Sequence, residues 1–252
     1  MKKIITSILL AVLFTANVSA QEDAWSINTR AWSTNYFTTL LYDAVAITTK
    51  EFILDEDDDE ATVADRIIPT AALVFPFGMK RDGFGGMTEI FCPYHRAFSN
   101  PLKNIGDYGI GIDASWKPSF VGVYAGAYFK SQEIVFKQFN SIRGYYIQPR
   151  LGLILGQGEN HAFELGAFYD ALTGCGGKMA GAKKSMLRGG FGLDFAYSFT
   201  PYDSKKQFLI QISAPLHNFF AKGATITDNA GTVYSGFDRR VGYIMLTSRI
   251  KL

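Results

Sequence analysis

Between residues 188 and 199 every second side chain is large and apolar: Phe191, Leu193, Phe195, Tyr197 and Phe199 alternate with Gly190, Gly192, Asp194, Ala196 and Ser198. Successive side chains of a strand point to opposite faces of a sheet, so this period predicts a β-strand. The pattern recurs along the chain. Residues 106–116 set Tyr108, Ile110, Ile112, Ala114 and Trp116 against Asp107, Gly109, Gly111, Asp113 and Ser115. Residues 119–129 set Val121, Val123, Ala125, Ala127 and Phe129 against Gly122, Tyr124, Gly126 and Tyr128. In residues 143–155, Tyr145, Ile147, Pro149, Leu151 and Leu153 oppose Tyr146, Gln148, Arg150, Gly152 and Ile154. Residues 161–172 place Phe163, Leu165, Ala167 and Tyr169 against Glu164, Gly166, Phe168 and Asp170. Residues 207–216, 239–252 and 66–75 complete eight predicted strands. Pro69 cannot donate to a ladder, so it belongs at an end or edge of its strand.

The polar rows are the unusual ones. A soluble sandwich turns Lys, Glu and Thr to water, whereas Gly and Ala suit a narrow, crowded interior. With the apolar rows facing lipid and the small or polar rows facing a lumen, the pattern is that of a transmembrane β-barrel. Each segment is long enough for a tilted crossing of a bilayer. The connections support this by their lengths. Residues 117–118, 156–160 and 200–206 are short links, while 77–105, 131–142, 173–187 and 217–238 are longer and fall at the opposite end. Outer-membrane barrels have short periplasmic turns and longer extracellular loops. The expected fold is therefore all-β: an antiparallel up-and-down transmembrane β-barrel over residues 66–252, with eight strands. Ten strands follow if residues 25–45 supply another hairpin. The segment 21–65 otherwise reads as periplasmic, or as an amphipathic helix over 36–53. The acidic run 55–60 lacks the glycine and terminal glutamate spacing of an EF-hand and reads as a solvated loop.

The chain opens Met1-Lys2-Lys3, continues with an apolar run from Ile4 to Phe14, and reaches Val18-Ser19-Ala20 before Gln21. A basic start, a short apolar core and a small-residue cleavage pattern predict a secretory signal peptide over residues 1–20. No Cys follows the expected cleavage site, which argues against a lipid-anchored product. Cleavage removes Lys2 and Lys3 and no acid, so the formal charge falls from +2 to zero. A neutral chain gives no footprint for a nucleic-acid partner. Aromatic residues make up 15% of the sequence, and hydrophobic residues 48%, without long runs. That composition fits one barrel domain rather than helical spans.

With these features together, the chain resembles the small outer-membrane β-barrel proteins of Gram-negative bacteria. The resemblance also rests on the final segment 242–252, Gly-Tyr-Ile-Met-Leu-Thr-Ser-Arg-Ile-Lys-Leu. In that family the last strand is the assembly signal and usually ends in an aromatic residue. Here Ile244, Leu246, Ile250 and Leu252 keep the alternation, Ser248 interrupts it, and Leu replaces the usual Phe. The resemblance implies localisation in the outer membrane after export and recognition by the barrel-assembly machinery through this strand. It implies outer-membrane lipid and lipopolysaccharide as surroundings, and a monomer with no cofactor.

Aromatic positions on the apolar rows define two girdles, because rings with an apolar body and a polar tip favour the headgroup interface. Tyr108, Phe129, Tyr145 and Tyr169 fall near the loop ends. Trp116, Phe163, Tyr197, Phe199 and Phe208 fall near the turn ends. The inward rows carry Asp113, Glu164, Asp170 and Asp194 with Arg150, Arg188, Arg249 and Lys251. An eight-stranded lumen is just wide enough to be filled by side chains, and buried charges there must pair. A plugged, ion-paired core is expected, with Tyr124, Tyr128 and Tyr146 filling volume. A structural or surface-interaction role follows, with a small-solute or lipid-ligand channel as the alternative.

A lipid-modifying enzyme such as a lipid A acyl hydrolase is the third reading. The three histidines, His95, His161 and His217, have no serine at strand spacing, so a nucleophile-and-base pair has no anchor. No spacing predicts a metal site. Cys92 and Cys175 both map to extracellular loops, where an exported chain has either a bridge or two free thiols. The glycines at 83–86 and 174–177 sit in loops rather than before helices, so they read as turn chemistry and not phosphate cradles. Lys178, Lys183 and Lys184 read as solvated loop lysines, with contact to anionic lipopolysaccharide as the alternative.

Overall fold

The structure, a computed structural model, describes residues 25–33, 67–81, 87–91, 107–135, 141–156, 160–179, 181–201, 206–227, 230–231, 233–234 and 239–250. The predicted signal peptide, the acidic run, Cys92, His95 and Lys251 lie outside the described residues. The described fold is all-β. Its strands are β1 Trp25–Ser33, β2 Ile67–Arg81, β3 Met87–Phe91, β4 Tyr108–Trp116, β5 Val121–Val135, β6 Ser141–Leu155, β7 His161–Gly176, β8 Gly190–Phe199, β9 Lys206–Pro215, β10 Ile226–Thr227, β11 Val233–Tyr234 and β12 Arg239–Ile250. Among the described residues no helix is long and apolar enough to cross a membrane.

Seven strands form a continuous antiparallel run, β4-β5-β6-β7-β8-β9-β12. β2 follows β12 in antiparallel register, with β3 folded back on it as a hairpin. β1 pairs antiparallel with β4, from Trp25↔Trp116 to Ser33↔Tyr108, and parallel with β2, from Ile27↔Ile67 to Ser33↔Leu73. β10 and β11 form a separate two-stranded sheet.

Three expectations are corrected. An eight-stranded order would place β2 against β4, but β1 stands between them. It is held there by its ladders and by Trp32, whose indole occupies the space a Cβ on the facing Gly109 would need. The second half of the expected 25–45 hairpin lies outside the described residues. The expected loop 77–105 begins instead as strand, since β2 runs on to Arg81 and pairs with β3. The expected loop 131–142 is strand at both of its ends, because Val135 pairs with Ser141 and the ladder continues unbroken to Val121↔Leu155. Ser131 and Gln132 are both buried there. With both faces covered, period two vanishes from the sequence although the strand persists. Pro69 is the third residue of β2, near its start.

Along the strands the exposed rows are apolar and the buried rows are polar. The outward rows hold Leu151 at 66%, Phe191 at 66%, Leu165 at 54% and Ile110 at 52% exposed. The inward rows hold Asp113, Gln148, Arg150, Asp170, Asp194 and Gln211, all buried. Glycines on the inward rows act as sockets for aromatic rings. Tyr124 of β5 lies across Gly152 of β6 and Gly166 of β7, so closely that a Cβ on Gly152 would come within 2.5 Å of its ring. Tyr128 lies over Gly111, and Phe168 over Gly192, its register partner. Small residues alternating with charges thus let large rings lie flat across the interior, the packing device of aromatic side chains over strand glycines.

Candidate functional site

The inward rows build stacked polar layers. In the first, Arg150 of β6 forms a buried ion pair with Asp194 of β8, and its guanidinium lies 4.5 Å from the centre of the Tyr128 ring. Tyr128 donates its hydroxyl hydrogen bond to Asp113 of β4. Closer to the loop end, Lys130 Nζ of β5 lies 2.5 Å from Asp170 Oδ2 of β7. Gln148 Nε2 donates to Asp170 Oδ1 at 2.8 Å, and His217 Nε2 lies 3.1 Å from Oδ2. Asp170 is therefore satisfied from three other segments of the chain. A charge this deeply buried needs such pairing, since desolvation would otherwise exceed its Coulombic gain.

Beside this layer lies a buried apolar cluster. Trp32 of β1, Ile134 of β5, Tyr146 of β6, Val241 and Tyr243 of β12, and Phe220 from the segment after β9 meet in it. Phe219 and Phe220 are 2% and 1% exposed. The segment that carries them is pinned to the chain before β8: Arg188 N donates to Phe219 O, and Ala221 N to Met186 O, each at 2.9 Å. A Cβ on Gly190 would lie 2.6 Å from His217 Cβ, so this glycine makes room for the histidine.

Asp107, one residue before β4 and outside the strands, accepts hydrogen bonds from the Glu133 amide at 2.7 Å and from the Tyr243 hydroxyl at 2.8 Å. Burial outweighs these bonds and the nearby Arg143 charge, and raises its pKa to about 6. An acid whose folded pKa lies above its unfolded value favours folding while protonated. Its contribution is present below about pH 4 and is lost as pH rises through about 6. The loss amounts to about 3 kcal/mol. Folded-state stability of the wild type in detergent should therefore fall between pH 4 and pH 8, and Asp107→Asn should flatten that dependence. Equal slopes for the two proteins in denaturant titrations would refute this account.

Of the sequence-predicted charges, Asp113, Arg150, Glu164, Asp170 and Asp194 are buried on the inward rows. Arg188 is not a member of this set. It is exposed two residues before β8, outside the strand, and Asp194 takes Arg150 as its partner. Arg249 belongs to β12, but its side chain, like Lys251, lies outside the described residues. Lys130, Gln148, His217, Asp107 and Tyr243 complete the layers and were not among the expected charges. Lys130 was legible in principle, since it continues the Tyr124, Tyr128 phase of β5. The signal was lost by ending that strand at Phe129.

The aromatic positions form lateral rows on the exposed faces. Phe129 stacks on Tyr145 and meets Tyr108, each at 6.2 Å between ring centres, and Tyr169 meets Phe191 edge-on at 4.9 Å. At the turn end Phe163 lies 5.0 Å from Tyr197, and Phe199 stacks on Phe208 at 5.6 Å. Trp116, the last residue of β4, is half-buried. His161 Nδ1 is 2.7 Å from the Tyr197 hydroxyl oxygen, on the exposed side. Cys175, half-buried on β7, is a free thiol. Among the described residues no cluster of His, Cys, Asp and Glu is placed to hold a metal ion. Comparisons with protein-family models, curated proteins and solved structures find no match to this chain.

Proposed function

We propose that this chain is an integral outer-membrane β-barrel with a plugged, ion-paired lumen, serving a structural or surface-interaction role. The observation that carries the reading is the inverted exposure: apolar rows outside, charged and glycine-rich rows inside. Such an apolar surface is stable against lipid and unstable against water. From Tyr145 to Leu155 the outward row of β6 runs about 33 Å along the strand, or about 25 Å across a bilayer at a tilt of about 40°. That matches the apolar band of outer-membrane barrels. The pairing of β1 with β2 supports closure, because it joins one end of the strand order to the strand next to the other end. Occlusion is supported by the Arg150–Asp194 and Lys130–Asp170 layers and by Phe219 and Phe220 in the mouth.

Refolding the chain into neutral phosphatidylcholine vesicles tests both halves of the reading. Protease-protected strands and a folded band that migrates faster than the boiled one are expected, with no steady conductance in planar bilayers. Failure to insert would overturn the barrel. A reproducible open level would overturn the plug and leave the small-solute channel.

A further inference from the structure

We propose that the Asp170 carboxylate is a clasp that closes a break in the β6–β7 seam from the inside and ties this seam to the segment after β9. Pro149 stands in the middle of β6, with a strand paired on either side. A proline has no N–H to give to a ladder and is unusual away from sheet edges and strand starts. The β5–β6 ladder runs through Tyr128↔Gln148 and Ala127↔Pro149 without a gap. The β6–β7 ladder steps from Ile147↔Ala171 to Arg150↔Phe168 and skips the two pairs between them. The missing donor therefore falls on the β7 side, opposite Tyr169. A second irregularity lies close by, where the register shifts between Tyr145 and Tyr146. Thr173, the extra residue of β7 at that shift, donates its hydroxyl hydrogen bond to Tyr145 O at 2.9 Å.

The break falls where β7 has least support. β8 pairs with β7 only as far as Asp170↔Gly190, so among the described residues β6 is the one strand that pairs with β7 from Ala171 onward. Side chains take over where the backbone bond is absent. Gln148 Nε2 donates to Asp170 Oδ1 at 2.8 Å, directly across the skipped pairs, and both residues are buried. The other carboxylate oxygen receives Lys130 Nζ of β5 at 2.5 Å and lies 3.1 Å from His217 Nε2. Asp170 is thus joined to β5, to β6 and to the segment after β9 at the level where the β6–β7 ladder is open. A hydrogen bond to a buried charge is stronger than one between neutral groups, so the clasp can stand in for the missing backbone bond. Parts of a fold open locally with free energies set by the bonds that hold them, and releasing the clasp opens this seam ahead of the rest of the sheet.

Amide hydrogen exchange, read residue by residue on full-length protein refolded in neutral detergent, tests the clasp. Ile147 and Ala171, paired just beyond the break, report on the seam, and Leu153 and Leu165, paired farther along the same ladder, serve as the reference. In Gln148→Leu the seam amides should exchange roughly tenfold or more faster relative to the reference. His217→Ala should speed the same amides, because the segment after β9 holds the same carboxylate. Pro149→Ala gives β6 back its N–H, so by itself it should slow the seam amides, and combined with Gln148→Leu it should cancel most of the increase. Pro149 is exposed and its replacement adds only a donor, so this variant decides the matter even where Gln148→Leu does not fold. Seam amides unmoved in Gln148→Leu, or not slowed in Pro149→Ala, would overturn the clasp. Unchanged exchange in His217→Ala would overturn the tie to the segment after β9. The clasp belongs to the pairing of β6 with β7 and not to the membrane, so failure of the chain to insert into vesicles would overturn the barrel and leave the clasp standing.

Discussion

Arg150→Met should destabilise the folded protein by about 3–5 kcal/mol, because it leaves Asp194 charged, buried and without its ion-pair partner. The added loss of the Tyr128 contact works in the same direction. The double variant Arg150→Met with Asp194→Leu should recover most of the difference, since replacing both members of a buried pair by apolar groups removes the uncompensated charge. Urea titrations of detergent-refolded protein, read from the folded and unfolded gel bands, measure all three. A single variant within about 1 kcal/mol of the wild type would mean that the pair is hydrated and the interior is not dry.

The second large effect is steric. Gly192→Val should cost at least about 3 kcal/mol, at the upper end for an overpacked core, because its side chain must occupy the place of the Phe168 ring in the facing strand. Phe168→Ala should be destabilising by itself through the cavity it leaves, but the two changes together should cost less than their sum. A double-mutant cycle with no coupling would show that Phe168 moves aside freely, and the socket would not be a constraint. The prediction is directional: Gly181, whose surroundings are open, has positive φ and would suffer from backbone strain rather than collision.

The parts of the fold readable from the sequence were those with one face toward the interior. Along β8 Phe191, Leu193, Phe195 and Phe199 are exposed, Tyr197 is half-buried, and the row from Gly192 to Ser198 is buried, so alternation and exposure carry the same information. Glycine on the inward row pointed to crowding, and Tyr124, Tyr128 and Phe168 supply the crowd. Alternation ceased to report at the loop end. There Ser131 and Gln132, adjacent in sequence, are both buried, and Leu187 and Phe220 meet through a bridge that no spacing marks. His217 was legible only as a loop residue, because its partner Asp170 lies 47 positions earlier. β1 is legible only as part of a hairpin over residues 25–45, because its two tryptophans, Trp25 and Trp32, fall on opposite rows and blur the alternation. Arg188 was assigned inward by extrapolating a phase that ends at Gly190.

The parallel joint between β1 and β2 is a matter of parity. With the short β3 set aside, the strand order of the ten-stranded sheet has nine members, and an odd ring cannot alternate direction at every step. In the proposed barrel one like-directed pair is therefore obligatory, and the chain puts it between its two earliest strands. From β4 to β9 each strand finds its partner through the next hairpin, at little cost in loop closure. β2 must instead meet β12 across most of the chain, as Thr70 does opposite Arg249. In the proposed barrel β1 and β2 are thus the strands whose pairings wait on the most distant parts of the chain, and closing the wall is the slow, nonlocal event of assembly.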